Sequence, residues 1–298
     1  MDILRAIGPG LLALVTVFLI DLLTRRRGLL PPGFRAPEGA LPADILAASA
    51  RRLVAMTLLW LVLWIGVFLP LGSLGVEHEL DFSQVSQADL FLLHLFLVFC
   101  LLVWYVCGYV PTPPGVDRRL ASWRVQLGFQ TDSILRELGI GLVMGVVAWL
   151  AVLGVLLAVG LVIWWLGGEE LLPKQPPEMI PWIAGLPIAL RLLISLSAGV
   201  VEETFFRGFL QPRIGLALST ALFVLAHASY EQPLMLLGVT LLSLIYGGLV
   251  YWRQNIWAAI AAHTLFDAVQ LLVVIPAALK VLPGDIEGAI VLHLLGVA

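Results

Sequence analysis

Long apolar runs alternate along this chain with short segments that carry most of its charges and prolines. A helix needs about 20 apolar residues to cross a bilayer core about 30 Å thick. The pattern predicts eight spans, the sixth of them short, at residues 7–23, 53–71, 90–110, 138–166, 180–201, 216–228, 234–251 and 256–275. We therefore predict an all-α fold, a polytopic transmembrane helical bundle of about eight spans.

The charges of the connecting segments test this count, because Arg and Lys accumulate on the cytoplasmic side of a membrane. The segments after the odd-numbered spans carry arginines, namely Arg25, Arg26, Arg27, Arg35, Arg51, Arg52, Arg118, Arg119, Arg124, Arg136, Arg207, Arg213 and Arg253. The segments after the even-numbered spans are mainly acidic, with Glu77, Glu79, Asp81, Asp89, Glu169, Glu170, Glu178 and Glu231. This alternation fits eight spans and predicts that both termini lie outside the cytoplasm.

Three local patterns refine the topology. The first apolar run has no small-residue cleavage site before its arginine cluster, so we interpret it as a retained anchor. Gly141 and Gly145 form a GxxxG pattern in the fourth span, which predicts close packing against another helix. The apolar tail at 288–298 is too short to cross the bilayer and is expected at its interface or against the bundle.

Composition narrows the class of protein. Of the 298 residues, 60% are hydrophobic and 12% charged, whereas soluble domains have about 45–50% apolar and about 25% charged residues. This excludes a soluble globular enzyme. The net charge of -3 offers no basic surface for phosphates, so we expect no nucleic-acid partner. Cys100 and Cys107 lie in one apolar run and form no CxxC pair, which excludes a disulfide framework or a zinc ribbon.

Ionisable residues inside membrane spans are energetically expensive, so each is a candidate functional residue. Glu203 and Arg207 are four residues apart and can pair on one helix face, whereas Glu202 lies about 100° around the axis. An unpaired and poorly solvated Glu202 is a candidate general base. The alternative is a helix end in the headgroup zone, where these charges are merely solvated.

A second polar face lies near the end of the chain. His263 and Asp267 are four residues apart, and Gln270 continues the same stripe. Such a stripe indicates either a buried polar cavity or a hydrogen-bonded contact between helices. His227 is a lone histidine on an apolar run, which is also typical of a satisfied core residue. We interpret His94 as structural, because its own run has no acidic partner.

Common hydrolase motifs are absent from the sequence. It has no HExxH zinc-protease helix, no GxSG or GxSxG serine motif and no pair of aspartyl-protease motifs. What remains is a glutamate with two histidines and an acidic residue. Such a set is suited to activating water.

Three short motifs occur in order, each on an apolar run: EExxxR at Glu202, Glu203 and Arg207, FxxxH at Phe223 and His227, and HxxxD at His263 and Asp267. This order resembles the CPBP family, the CAAX-processing and bacteriocin-processing intramembrane endopeptidases also called the Abi family, and within it the type II CAAX prenyl proteases. We therefore predict a CPBP-like catalytic bundle at 138–298, with its core at 180–275. Residues 1–137 carry no motif that we recognise, and we expect membrane helices of unknown role there.

The resemblance implies a glutamate-type intramembrane protease whose site opens to the cytoplasm. It implies that Glu202 and His227 activate the attacking water, and that His263 and residue 267 stabilise the oxyanion. Glu203 and Arg207 would brace the site, with Phe223 in support. Prenyl-protease relatives usually have Asn at the last position. An ionised Asp267 would repel an oxyanion, so it must be protonated, orient His263 or help to hold a metal.

The sequence is compatible both with a site that holds a metal ion and with a metal-free site. Glu202, His227, His263 and Asp267 offer enough oxygen and nitrogen ligands for a divalent ion such as zinc. The resemblance instead favours a water activated by glutamate without metal. We favour that mechanism and expect no cofactor.

The expected function is hydrolysis of a peptide bond near the C-terminal end of a membrane-associated protein or peptide, by a multi-pass protein of the bacterial inner membrane. The alternative is a catalytically silent membrane partner or immunity protein, in which the polar cluster only ties helices together. A proton-coupled transporter would fit buried His and Glu but explains neither EExxxR nor the order of the motifs.

The predicted depths of the candidate residues in the membrane do not fully agree with one another. Counted at about 1.5 Å per residue from the predicted cytoplasmic ends, Glu202 and His263 lie roughly 10–12 Å deep and His227 nearer 20 Å. We therefore expect them to meet only if the sixth helix tilts or begins deeper.

Overall fold

Helices form every regular element in the part of the chain that the computed structural model describes. The described residues are 3–34, 39–72, 85–110, 116–117, 121–168, 179–230 and 232–281. Their α-helices are α1 (Ile3–Arg26), α2 (Pro42–Leu63), α3 (Leu69–Gly72), α4 (Leu92–Val106), α5 (Trp123–Gln126), α6 (Ile134–Trp165), α7 (Met179–Ala184), α8 (Ile188–Ser197), α9 (Gln211–Ala226), α10 (Pro233–Arg253), α11 (Trp257–Val269) and α12 (Ile275–Val281). The predicted all-α class is confirmed.

Wide π-helical turns, with i→i+5 hydrogen bonds, join several of these helices into longer ones. They lie at Trp64–Phe68, Ala198–Glu202, Thr204–Leu210 and Gln270–Val274. Short 3₁₀ turns lie at Pro32–Phe34, Asp89–Phe91 and Ala228–Tyr230. Two of the π turns flank Glu203, so the first predicted motif falls on distorted helix.

Within the described ranges, seven continuous helical stretches are long and apolar enough to cross a membrane. They are Ile7–Arg26, Pro42–Leu71, Asp89–Val106, Ile134–Trp165, Ile188–Ala226, Pro233–Arg253 and Trp257–Leu279. The protein is therefore a multi-pass integral membrane protein. Several predicted features lie outside the described residues: Arg35, Arg118, Arg119, most of the acidic connecting residues and the tail at 288–298.

The fifth stretch contains both the fifth and the sixth predicted spans, and it folds back on itself. Gly215 interrupts it with a φ of 84° and a ψ of 171°, a conformation that glycine adopts readily. The Ser219 hydroxyl donates to the carbonyl of Phe206 at 2.8 Å, and the rings of Phe206 and Phe223 are 5.0 Å apart. In a straight helix those phenylalanines would be about 25 Å apart. The chain therefore reverses at Gly215.

This reversal corrects the predicted boundaries around the first motif. The fifth span was predicted to end at Val201, but the helix continues to the turn at Gly215. Glu202 lies 13 residues before that glycine (215 − 202), and His227 lies 12 after it (227 − 215). The two side chains therefore start from similar heights on antiparallel arms. The depth mismatch came from placing the turn too early in the sequence.

The N-terminal helices share one hydrophobic core with the arm that carries Glu203. Trp104 of α4 is fully buried, and its ring stacks on Phe209 with centroids 4.3 Å apart. The buried Arg213 lies 3.8 Å from the centroid of the same Phe209 ring and donates to the carbonyl of Tyr109 at 2.8 Å. The predicted division at residue 137 stays a prediction, but α4 packs directly behind the motif helix.

Helix α6 approaches α11 closely along the predicted GxxxG pattern, which confirms the packing role of these glycines. A Cβ on Gly141 would lie 2.6 Å from the Cβ of Ala261, and one on Gly145 would lie 3.1 Å from the Cα of Ala262. Contacts this short leave no room for a side chain. The two glycines therefore allow α11 to pack closely against α6 next to His263.

We expect Gly141→Ala to destabilise the protein by about 1–3 kcal/mol, because the added methyl overpacks the contact between α6 and α11. Gly154→Ala on the same helix is the matched control, since a Cβ there meets no atom within 4 Å. Thermal unfolding in detergent compares the two variants. Equal unfolding temperatures would contradict this view of the interface.

Candidate active site

Glu203 is a fully buried carboxylate at the centre of a chain of polar contacts. Its Oε2 lies 3.2 Å from Nε of Arg207, as the spacing of four residues predicts. Its Oε1 lies 2.8 Å from Nδ1 of His263 on α11. On the other side of the imidazole, Nε2 lies 3.5 Å from Oδ2 of Asp267. The first and third motifs are thus joined through Glu203.

Arg207 is held in place by the neighbouring helices. One terminal nitrogen donates to the carbonyl and the hydroxyl of Ser243 on α10, at 3.3 and 3.0 Å. The hydroxyl of Ser243 in turn donates to that of Thr220 on α9, at 3.1 Å. The guanidinium also lies 4.4 Å from the centroid of the Phe223 ring. These contacts hold the guanidinium of Arg207 in position beside the Glu203 carboxylate, whose charge it balances.

Each nitrogen of His263 faces a carboxylate. An imidazole that donates from both nitrogens carries a positive charge. In that state the charges of Arg207 and His263 balance those of Glu203 and Asp267. The ring of Tyr246 stacks on the imidazole with centroids 5.1 Å apart, which fixes its plane. Of the three roles that the sequence left open for Asp267, this geometry is the one expected for orienting His263.

Glu202 points to a different helix from Glu203. Its Oε1 lies 3.4 Å from Nε2 of His94 on α4, and Nδ1 of that histidine lies 3.1 Å from the hydroxyl of Ser197. The expectation that Glu202 has no partner was therefore wrong. Its Oε2 is buried and has no hydrogen-bond partner in the described part of the chain.

His94 is the site residue that sequence reasoning missed. We interpreted it as structural because no acidic residue lies near it in its own helix. Its carboxylate partner lies 108 residues later in the chain, in a helix that packs against α4. The only signal in the sequence was a histidine inside an apolar run, which is itself a reason to suspect function.

One cavity of about 280 Å³ collects the predicted catalytic residues. The polar and charged side chains that line it belong to His94, Glu202, His227, Tyr246, His263, Asp267 and Gln270. The rest of the wall is mainly apolar and is built by α6, α7, α8, α10 and α12. The cavity can therefore bring an apolar ligand next to an ionisable cluster.

His227 presents a defined face to this cavity. Its Nδ1 lies 2.7 Å from the carbonyl of Phe223, one helical turn earlier, so we assign the proton to that nitrogen. In the neutral imidazole, Nε2 then carries the lone pair that can accept a proton. The second motif thus orients its histidine through the backbone of its own phenylalanine.

The four residues considered as metal ligands surround the cavity without converging on one point. Among the residues that the structure describes, no three His, Cys, Asp or Glu side chains are grouped closely enough to hold an ion. The Asp267 carboxylate contacts His263 directly. The preference for a metal-free site stays a prediction with its own test.

Comparisons with known proteins agree with the motifs. Residues 184–269 match a family model described as type II CAAX prenyl endopeptidase, Rce1-like. A stretch of 79 residues is 33% identical to the uncharacterized protein YpbD of Bacillus subtilis (strain 168), and it covers 26% of this chain and 42% of that protein. No solved structure matches the chain. The resemblance to the CPBP family is confirmed over the matched segment, which contains all three motifs but not His94.

The contacts predict different behaviour for the two adjacent glutamates. Glu203→Gln leaves the buried guanidinium of Arg207 and the imidazole of His263 without their carboxylate, and we expect it to lower the free energy of unfolding by about 3 kcal/mol or more. Glu202→Gln is the matched control, because it keeps size and loses only the long contact to His94. Thermal unfolding in detergent measures both. Equal loss of stability in the two variants would contradict a bracing role for Glu203.

Proposed function

We propose that this chain is an intramembrane endopeptidase that hydrolyses a peptide bond with water activated by Glu202. The observation that carries the proposal is the Oε2 of Glu202, which is buried, unpartnered among the described residues and on the wall that His227 and His263 share. The Rce1-like match over residues 184–269 supports protease chemistry at this wall.

In the proposed reaction, a water binds between Oε2 of Glu202 and Nε2 of His227. Glu202 takes one proton from it, and the oxygen attacks the carbonyl carbon of the substrate. His263 stabilises the oxyanion through its Nε2–H, whose contact to Asp267 is long at 3.5 Å. The C–N bond then breaks, and the leaving amine receives the proton from Glu202. The products are a carboxylic acid and an amine, and transfer of the remaining proton of the water turns them into a carboxylate and an ammonium group.

The remaining motif residues act through their contacts with these groups. Asp267 and Glu203 together orient His263, because each carboxylate contacts one nitrogen of the imidazole. Arg207 holds Glu203 and rests on Phe223, which also supplies the carbonyl that orients His227. In this assignment Asp267 positions the imidazole and does not itself meet the oxyanion.

The substrate we propose is a membrane-associated protein or peptide that is cut near its C-terminal end. The mainly apolar cavity wall supports an apolar segment beside the scissile bond. A prenylated CAAX tail is one such substrate, and an unprenylated sorting tail or bacteriocin leader is another. Arg27, from the arginine cluster after the first span, donates to the carbonyl of Pro212 beside the Gly215 turn at 3.2 Å, and this supports a site that opens to the cytoplasm of a bacterial inner membrane.

The catalytic test uses two quenched fluorescent peptides in proteoliposomes, one ending in a farnesylated cysteine followed by three residues and one without the farnesyl group. We expect Glu202→Gln to lower cleavage by about 100- to 10,000-fold with its fold retained. The control is the thermal unfolding of the same variant. Near-normal turnover would overturn the role of Glu202, and a silent membrane partner would cleave neither peptide.

The metal test pairs chelation with Asp267→Asn. If Asp267 only orients His263, an Asn that also accepts a hydrogen bond should preserve activity, and exhaustive chelation should leave the wild-type rate unchanged. A metal site would instead lose affinity when an anionic ligand becomes neutral. Stoichiometric zinc that is lost together with activity in Asp267→Asn would overturn the metal-free mechanism.

A further inference from the structure

His94 contacts the proposed base from a helix outside the matched protease segment. Helix α4 packs against the π turn at Ala198–Glu202. Its histidine is mostly buried, as is the carboxylate that it faces, with side-chain exposures of 16% and 17%. Neither the three motifs nor the family match covers this contact.

The hydrogen bonds around His94 determine where its protons lie. The Ser197 hydroxyl donates its single hydrogen to the carbonyl of Ile194 at 3.0 Å. It must therefore accept from Nδ1 of His94, which lies 3.1 Å away. With Nδ1 protonated, the Nε2 of a neutral imidazole would turn its lone pair toward Oε1 of Glu202. One further proton must sit between Nε2 and Oε1, which are 3.4 Å apart.

The shared proton gives the two oxygens of Glu202 different environments. Oε1 is engaged with His94, while Oε2 has no hydrogen-bond partner among the described residues. His227 and His263 lie on the same cavity wall as Glu202. A carboxylate tied at one oxygen presents the other in a fixed direction, which is the arrangement that a general base needs.

We propose that His94 is a positioning residue for Glu202: Ser197 orients its imidazole, the imidazole holds Oε1, and Oε2 is thereby directed at the attacking water. This inference rests on the proposed function, because it assigns a role within the same site. It also gives the N-terminal helices a part in catalysis.

The kinetic test compares two substitutions of His94. His94→Leu removes the contact, and we expect kcat on the cleaved peptide to fall by roughly 100-fold with KM unchanged. His94→Gln restores a donor near the position of Nε2 and should recover most of kcat. Phe99→Leu, at a half-exposed position of the same helix, is the control and should match wild type. A histidine that only tethers α4 would lower stability in both variants without rescue of the rate by Gln.

A double substitution separates the two hypotheses about this site. If His94 acts through Glu202, the variant with both His94→Leu and Glu202→Gln should be no slower than Glu202→Gln alone. Additive losses would overturn the positioning role. If Glu202→Gln is inactive but His94→Leu cleaves normally, the protease proposal survives and the role of His94 fails.

A spectroscopic readout needs no substrate. In protein labelled with ¹⁵N-histidine, the His94→Gln spectrum identifies the His94 signals among those of the five histidines. We expect Glu202→Gln to shift the His94 Nε2 resonance and Glu203→Gln to shift that of His263. If the chemical shift of the His94 Nε2 resonance is unchanged by Glu202→Gln, the inference is overturned, whichever peptide the protein cleaves.

Discussion

The buried carboxylate of Glu203 is the constraint on which the rest of the site depends. A charge taken out of water is tolerated in a protein only when it is paired and hydrogen-bonded. Arg207 supplies one partner from the same helix, and His263 supplies the other from α11. Each partner is itself held, Arg207 by Ser243 of α10 and His263 by Asp267 of α11. The pairing of this one carboxylate therefore fixes the relative positions of three helical segments.

Two adjacent glutamates, Glu202 and Glu203, lie in different surroundings. Glu203 faces the interior, where both oxygens meet positively charged or protonated groups. Glu202 faces the cavity, where one oxygen meets an imidazole and the other has no hydrogen-bond partner among the described residues. The π turns on either side widen the helix locally, and such turns are frequent at functional sites. A paired, buried carboxylate and the proposed general base are therefore neighbours in the sequence.

The helices before residue 137 pack against the elements that carry the site, although they carry no motif of the family. Trp104 stacks on Phe209, and the Tyr109 carbonyl accepts a hydrogen bond from Arg213, on the arm between Glu203 and the Gly215 turn. His94 extends this packing to the proposed base itself. The matched segment thus describes the motifs of the family, while the orientation of its first glutamate involves a neighbouring helix.

The sequence by itself determined the membrane class, the all-α fold and the pairing of Glu203 with Arg207, because apolar run length and the helical period of 3.6 residues are local properties. The contact of His263 with Asp267 follows from the same period. The reversal at Gly215 was invisible in the apolar pattern, so the heights of Glu202 and His227 were misjudged. Only the tertiary structure brought His94 to Glu202 and His263 to Glu203. Such contacts depend on the rotation and height of each helix against its neighbours, and those are set by packing across the whole bundle rather than by spacing along one helix.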